Sequence, residues 1–170
     1  IAQEVKLERL ALEVDPRRLE HVRPHEQHLD IRRAELVVRL VASIMKIEGC
    51  SLRLYDQARK TLLPAASFGL DDQHFQNTPL RLGEGVSGLA AKERFPILVS
   101  DLLHDQRVRY PQQLAEQGYR AILSVPILFY DEVLGTLTVY GKEPRPFTPN
   151  EKRLLSTFTM QTALAIKNMQ

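Results

Sequence analysis

The sequence predicts an α+β domain: a central antiparallel sheet of five to six strands, with the N- and C-terminal helices on one face and a ligand pocket on the other. Three observations carry that expectation. Helical periodicity is strong from residue 31 onward and again near the C-terminus. The strand-like segments between are joined by turns or irregular stretches, so no long helix is available for a parallel crossover. A middle region, residues 70–118, fits neither pattern and is left to cover the second sheet face or to line a cavity against it.

The elements follow in order. Val37, Leu40, Val41, Ile44 and Ile47 recur at three- and four-residue spacing, which places them on one helix face, and Gly49 reads as the helix stop. Cys50-Ser-Leu-Arg-Leu-Tyr55 alternates apolar and polar residues and reads as a strand with one wet face. A polar turn at 56–60 leads into a second strand, Thr61–Phe68, ended by Gly69. Residues 71–77 read as a short helix or loop. Gly83-Glu-Gly-Val-Ser-Gly88 is a glycine-rich turn into a helical 89–93, and Pro96-Ile-Leu-Val-Ser100 is a strand. Residues 102–117 form a long polar connection. Segments 121–130 and 133–140 make the clearest hairpin, rich in β-branched and aromatic residues, with Asp131-Glu132 as its turn.

Thr148-Pro149-Asn150-Glu151 joins a capping box to a proline at the first helical position, so the closing helix starts there. Its apolar stripe is Leu155, Phe158, Thr162, Ala165, Ile166 and Met169. Leu154, Met160 and Leu164 lie off that stripe. The surplus implies a second packing partner, most simply the same helix of another chain, and so a homodimer through the terminal helices.

Composition narrows the function. The chain has 170 residues, 44% hydrophobic and 26% charged, which suits one globular domain with a short appendage. A net charge of +2 supplies no field for nucleic acid. No apolar run approaches the roughly 18 residues that a membrane span needs. The single cysteine, Cys50, excludes an internal disulfide, a CxxC redox pair and multi-cysteine metal sites. No signal peptide is read in this sequence, and a chain opening at Ile1 is read as a piece of a longer cytoplasmic protein. Residues 1–30 are read as a linker or signalling-helix segment before a domain at 31–170. His21, His25 and His28 are spaced for one helix face that would suit zinc or nickel, but Pro24 interrupts that helix and favours a solvated linker.

Gly83, Gly85 and Gly88 match G-x-G-x-x-G, and Asp101 follows at a distance near that of a ribose-binding acid. A dinucleotide fold would need the motif to open the first helix after a buried strand in a parallel unit. Pro79-Leu-Arg-Leu82 is too short and polar for that strand, and two strands already precede it. The loop is therefore read as a sharp backbone turn.

An ordered set of local motifs resembles the GAF domain family, small-molecule sensory domains of signalling proteins. Leu82-Gly-Glu-Gly-Val-Ser-Gly88 resembles its glycine turn, and Pro96-Ile-Leu-Val-Ser-Asp101 its third strand and following Asp. His104-Asp-Gln-Arg107 is similar to its Asp-Pro-Arg turn, with Gln106 in place of Pro. Leu123-Ser-Val-Pro-Ile127 resembles its Ser-x-x-x-Pro strand, and Val133-Leu-Gly-Thr-Leu137 the returning strand. Phe147, Glu151, Leu154 and Leu155 match the start of its closing helix. Residues 1–30 lie outside the likeness. The resemblance implies a GAF/PAS-like fold with a pocket between sheet and middle region. It also implies a regulatory, non-catalytic role in a larger protein such as a sensor histidine kinase, with the output domain elsewhere in that protein. A ligand-free dimerisation and relay module, or the effector domain of a transcriptional regulator, are the alternatives.

The ligand classes of the family are tested by what this chain lacks. The cyclic-nucleotide pattern keeps Lys142 and Phe147 but has Gly141, Glu151 and Lys152 where the resemblance asks for Asn, Asp and Glu. Cys50 sits on the first strand, away from a bilin attachment point, and one cysteine cannot complete a sulfoxide-reducing thiol cycle. His74 and His104 read as loop histidines, so neither haem nor covalent bilin is expected. The residues expected around the pocket are Ser67, Phe68, Phe75, Val86, Ser100, Tyr110, Ser124 and Thr138. Ser124 and Thr138 stand out as polar positions within apolar strands. Arg81, Arg107, Arg109 and Arg120 gather in or beside the middle region and read either as anchors for an anion or as a wet face.

Overall fold

The computed structural model describes residues 31–168. Residues 1–30, read above as a linker or signalling-helix segment and holding His21, His25 and His28, lie outside the described residues, as do Met169 and Gln170. Helix α1 (Ile31–Met45) is followed by β1 (Gly49–Asp56), β2 (Thr61–Phe68), α2 (Asp72–Gln76), β3 (Leu80–Arg81), α3 (Gly85–Glu93) and β4 (Ile97–Val99). A 3₁₀ turn (Leu102–His104), α4 (Pro111–Glu116), β5 (Ala121–Phe129), β6 (Glu132–Gly141) and α5 (Pro149–Asn168) complete the chain. The six strands lie in the order β3-β2-β1-β6-β5-β4, and every pairing is antiparallel. The sixth strand is the short β3, from the segment too brief to read as a strand in sequence.

Strand alternation sends two different residue sets to the two faces. Cys50, Leu52, Leu123, Val125, Ile127, Leu137 and Val139 point to the back. There they pack with Ala34, Val38 and Val41 of α1 and with Leu155, Phe158 and Ile166 of α5. Both terminal helices thus share one face, as their apolar stripes predict. The α1 stripe is centred on Val38 and Val41, which leaves Val37 and Ile44 half-buried at its edges. Leu154, expected off the α5 stripe, packs against the core edge, whereas Met160 and Leu164 are exposed.

The front face carries Ser51, Arg53, Ile122, Ser124, Thr136, Thr138 and Tyr140. It is covered by α3, α4, the 3₁₀ turn and the loops between them, around Val86, Leu102, Val108 and Tyr119. The face of β1 that reads as wet in sequence is therefore buried: Ser51 and Arg53 are enclosed by the middle region. Tyr119 fastens that cover, since its hydroxyl donates to the carbonyl oxygens of Glu48 (3.1 Å) and Gly69.

Local details differ from the sequence reading by a residue or two. Helix α1 ends at Met45, Lys46 after it adopts φ +52°, and Gly49 opens β1. The β5–β6 turn is Tyr130-Asp131, with Tyr130 at φ +52°, one residue before the expected pair. Helix α3 starts at Gly85 rather than Leu89. The capping box of α5 forms as read: Thr148 N–H donates to Glu151 Oε1 at 2.9 Å, and Glu151 N–H to Thr148 Oγ1 at 3.1 Å. The glycine-rich loop closes on itself through Gly83 N–H to Gly88 O at 2.7 Å, and Gly85 takes φ +67° to launch α3. In an antiparallel sheet this loop follows an edge strand, so it is a turn and not a dinucleotide cradle.

Candidate functional site

A cavity of about 50 Å³ lies between the front face and the middle region. Arg53, Thr138 and Tyr140 line it from the sheet. Phe75, Val86, Ser87, Arg109 and Tyr110 line it from the cover. Of the residues singled out in sequence, Phe75, Val86, Tyr110 and Thr138 line this cavity.

The others do not. Ser124 is fully buried one hydrogen bond behind the wall: Thr138 Oγ1 lies 2.8 Å from Ser124 Oγ and 2.9 Å from Ser87 Oγ. The three hydroxyls form a chain that ties β5 and β6 to the first turn of α3. Ser67 donates to Asp72 at 3.1 Å, outside the cavity, because β2 ends there and α2 begins. Phe68 pairs across the ladder with Cys50, which is back-face parity, at the exposed end of β2. Ser100 lies past the end of β4 and is exposed.

The arginines in or beside the middle region resolve individually. Arg107 grips Asp105 and donates to Leu98 O, so it braces the loop. Arg120 pairs with Asp101 at 3.1 Å, and that hydrogen-bonded guanidinium holds the Asp101 carboxyl below the ordinary carboxylate value. Asp101 also caps the 3₁₀ turn by accepting from Leu103 N–H. Arg81 is exposed on β3. Only Arg109 of this group reaches the cavity, and it pairs with Glu84 at 3.2 Å. His104 is largely exposed and lies 3.8 Å from Asp101, so Ser100, Asp101 and His104 make no nucleophile–base set. Among the described residues, no three His, Cys, Asp or Glu side chains gather in a metal-binding group.

Sequence reasoning missed Arg53. Its side chain is 5% exposed in the middle of the sheet. Nη1 donates to Thr78 O at 2.5 Å and Nη2 to Thr78 Oγ1 at 3.1 Å, and the guanidinium lies 4.7 Å from the Phe75 ring centre. Burial pulls it below the ordinary arginine pKa. Two irregularities flank it. On one side β2 carries an extra residue, Ala65, between the partners of Leu52 and Arg53. On the other, Gly135 lets β6 pass close to Arg53, where a Cβ would meet the Arg53 carbonyl oxygen at 2.1 Å. Such bulges re-aim side chains next to sites. Tyr140, also in the cavity wall, shares a 3.1 Å hydrogen bond with Ser51, and burial raises its phenol pKa. Cys50 is fully buried on the opposite face, where burial pushes the thiol up and keeps it unreactive.

Comparison with known proteins agrees with the fold. A family model described as GAF domain matches residues 32–167. The phosphoenolpyruvate-dependent phosphotransferase system protein of Escherichia coli K12 is 29% identical over 135 residues. That match covers 79% of this chain and 18% of the relative. The Nif-specific regulatory protein of Herbaspirillum seropedicae is 29% identical over 156 residues, covering 75% of this chain and 29% of the relative. The chain thus spans less than a third of either protein. Among solved structures, the GAF domain of a phosphoenolpyruvate-protein phosphotransferase from Coxiella burnetii superposes with a TM-score of 0.74 at 23% identity, covering 96% of this chain and 92% of that one. A free methionine-R-sulfoxide reductase from Neisseria meningitidis shares the fold with a TM-score of 0.69 at 14% identity, covering 98% of this chain and 89% of that one.

Proposed function

The chain belongs to the GAF domain family, and from that premise we propose that it is a non-catalytic sensory module of a larger cytoplasmic signalling protein. It binds a small molecule in the front-face cavity and reports occupancy through α1 and α5. The observation that carries this reading is the cavity itself: buried polar anchors on the sheet, facing a cover of short helices and loops. A ligand that prefers one arrangement of that cover shifts the population toward it. The terminal helices sit on the same strands from behind, so a shift in the sheet reaches them directly.

The relatives support a signalling context, since one is a regulatory protein and another a phosphotransferase-system protein. The reductases of like fold raise the question of catalysis. Here the one thiol is sealed away from the cavity, which favours binding over chemistry. No helix among the described residues is long and apolar enough to cross a membrane. Met160 and Leu164, four residues apart on the outer side of α5, are 61% and 55% exposed and favour a second copy of the chain as partner.

A thermal-unfolding screen of the 170-residue chain against small metabolites tests the reading. A saturable rise in melting temperature with one chemical class supports it, because a ligand specific to the folded state stabilises by mass action. A flat response across sugars, amino acids, organic acids, nucleotides and tetrapyrroles favours the ligand-free relay module instead.

A further inference from the structure

The cavity wall contains Arg53, Arg109 and His74, and no Asp or Glu. Arg59, Arg107, Arg109, Arg120 and Arg145 each face a carboxylate. Arg53 is more deeply buried than any of these, yet it has no acidic partner among the described residues. Thr78 supplies two neutral acceptors, and Nε has none. Burying a guanidinium without a counter-charge is costly, and a fold keeps such a group where something else completes it.

Two further observations stand beside the buried Arg53. Thr136 Oγ1 is the other buried side-chain atom without a hydrogen bond among the described residues. Thr136 pairs directly with Arg53 across β1 and β6, so the two unsatisfied atoms belong to adjacent side chains on one face. The N-terminus of α3 also opens on this cavity through Gly85, Val86 and Ser87. Its cap residue, Glu84, makes no side-chain cap and has its carboxylate turned to Arg109 instead. First-turn amides carry partial positive charge and favour an anion.

We propose that the front-face cavity is a site for a small oxyanion, a carboxylate or phosphate group, whose charge is met by the buried Arg53 and whose oxygens lie toward the first turn of α3. This rests on the sensory reading and names its ligand class. The size agrees. At roughly 10–15 Å³ per water-sized occupant, about 50 Å³ holds a few heavy atoms, enough for an anionic head group. Arginine suits the task because its planar donors match a carboxylate or phosphate edge. The uncapped α3 turn and the hydroxyl chain Ser87–Thr138–Ser124 would transmit occupancy to β5 and β6.

The test is a titration of the 170-residue chain with sodium phosphate and, separately, sodium acetate, at ionic strength held constant with sodium chloride. Amide shifts of Gly85, Val86, Ser87 and Thr138 are the readout. The expected result is saturable movement of these amides with one or both anions, and which anion saturates tells phosphate from carboxylate. Arg53→Met should weaken that binding about tenfold to a hundredfold, the worth of a hydrogen bond to a charged group. Arg53→Lys, which keeps the charge but loses the planar fork, should weaken it less. Should Arg53→Met fail to fold, Arg53→Lys alone decides. Shifts that grow linearly with salt, or saturable binding unchanged in the folded variants, overturn the proposal. If the anions leave these amides unmoved but a neutral compound such as dimethyl sulfoxide shifts them, the anion assignment falls and the ligand-binding reading stands. If nothing shifts them, both fall.

Discussion

The two faces of one sheet do different work, and the difference is written in alternate residues of the same strands. On β1 the back face takes Cys50 and Leu52, and the front takes Ser51 and Arg53. On β6 the back takes Leu137 and Val139, and the front takes Thr136, Thr138 and Tyr140. Behind the sheet, two amphipathic helices meet an apolar surface, and burial of that surface is the stabilising term. In front, short elements cover hydroxyls, a phenol and a lone guanidinium. A face built only for stability would not enclose unsatisfied donors. The back is the core and the front is the candidate site.

The largest effect should come from breaking the core. Leu137→Ala, at a position with no exposure, should lower stability by about 2–5 kcal/mol in urea unfolding. A loss under 1 kcal/mol would mean that the back face is not the main source of stability.

Next is the fastening of the front cover. Tyr119→Phe removes the donor to Glu48 O and Gly69 O and should cost about 1–3 kcal/mol. Burial raises the Tyr119 pKa from its ordinary 10.0 to about 12. The folded state therefore holds a proton that the unfolded chain releases. Its stabilisation is complete below pH 10 and is lost as the pH rises toward about 12. Tyr140 acts in the same direction. Alkaline unfolding followed by circular dichroism should be shallower in Tyr119→Phe than in the wild type.

How much of this was legible beforehand follows the same division. The back face announces itself through period, since α1, α5 and the hairpin carry repeats that only one packing satisfies. The capping box at Thr148–Glu151 specifies its helix start locally. The front face is harder. Ser-Leu-Arg within β1 has the alternation of a solvated strand, and what buries Arg53 is a cover more than twenty residues away in sequence, reaching it through Thr78 and Phe75. Four of the expected pocket residues line the cavity because they lie on segments that fold onto it. Phe68 and Ser100 do not, because the end of a strand, rather than composition, decides which way they leave the sheet. The bulge at Ala65 has no signal beyond Pro64, a residue suited to interrupted pairing.

Smaller effects sharpen the boundary between structure and relay. Met160→Lys with Leu164→Lys should leave stability within about 0.5 kcal/mol, as surface changes do. Sedimentation should show a dimeric wild type and a more monomeric variant. Equal sedimentation of the two would remove α5 as the pairing surface. Smallest is the half-buried pair Asp101–Arg120. Because Arg120 depresses the Asp101 pKa, its stabilisation is present above the ordinary carboxylate value and lost as the pH falls through the lower, folded value. Asp101→Asn should therefore be less stable than wild type at neutral pH, with the gap closing in acid.

The most direct measurement is thermal unfolding of wild type and Arg53→Met, each with and without phosphate or acetate at constant ionic strength. If the front face is kept for binding, Arg53→Met without anion melts at or above the wild-type temperature, because a desolvated charge has been removed. The anion then raises the melting temperature of the wild type alone. An anion-free variant that melts well below wild type, with both proteins responding equally to anion, would make Arg53 a structural residue and contradict the division of the two faces.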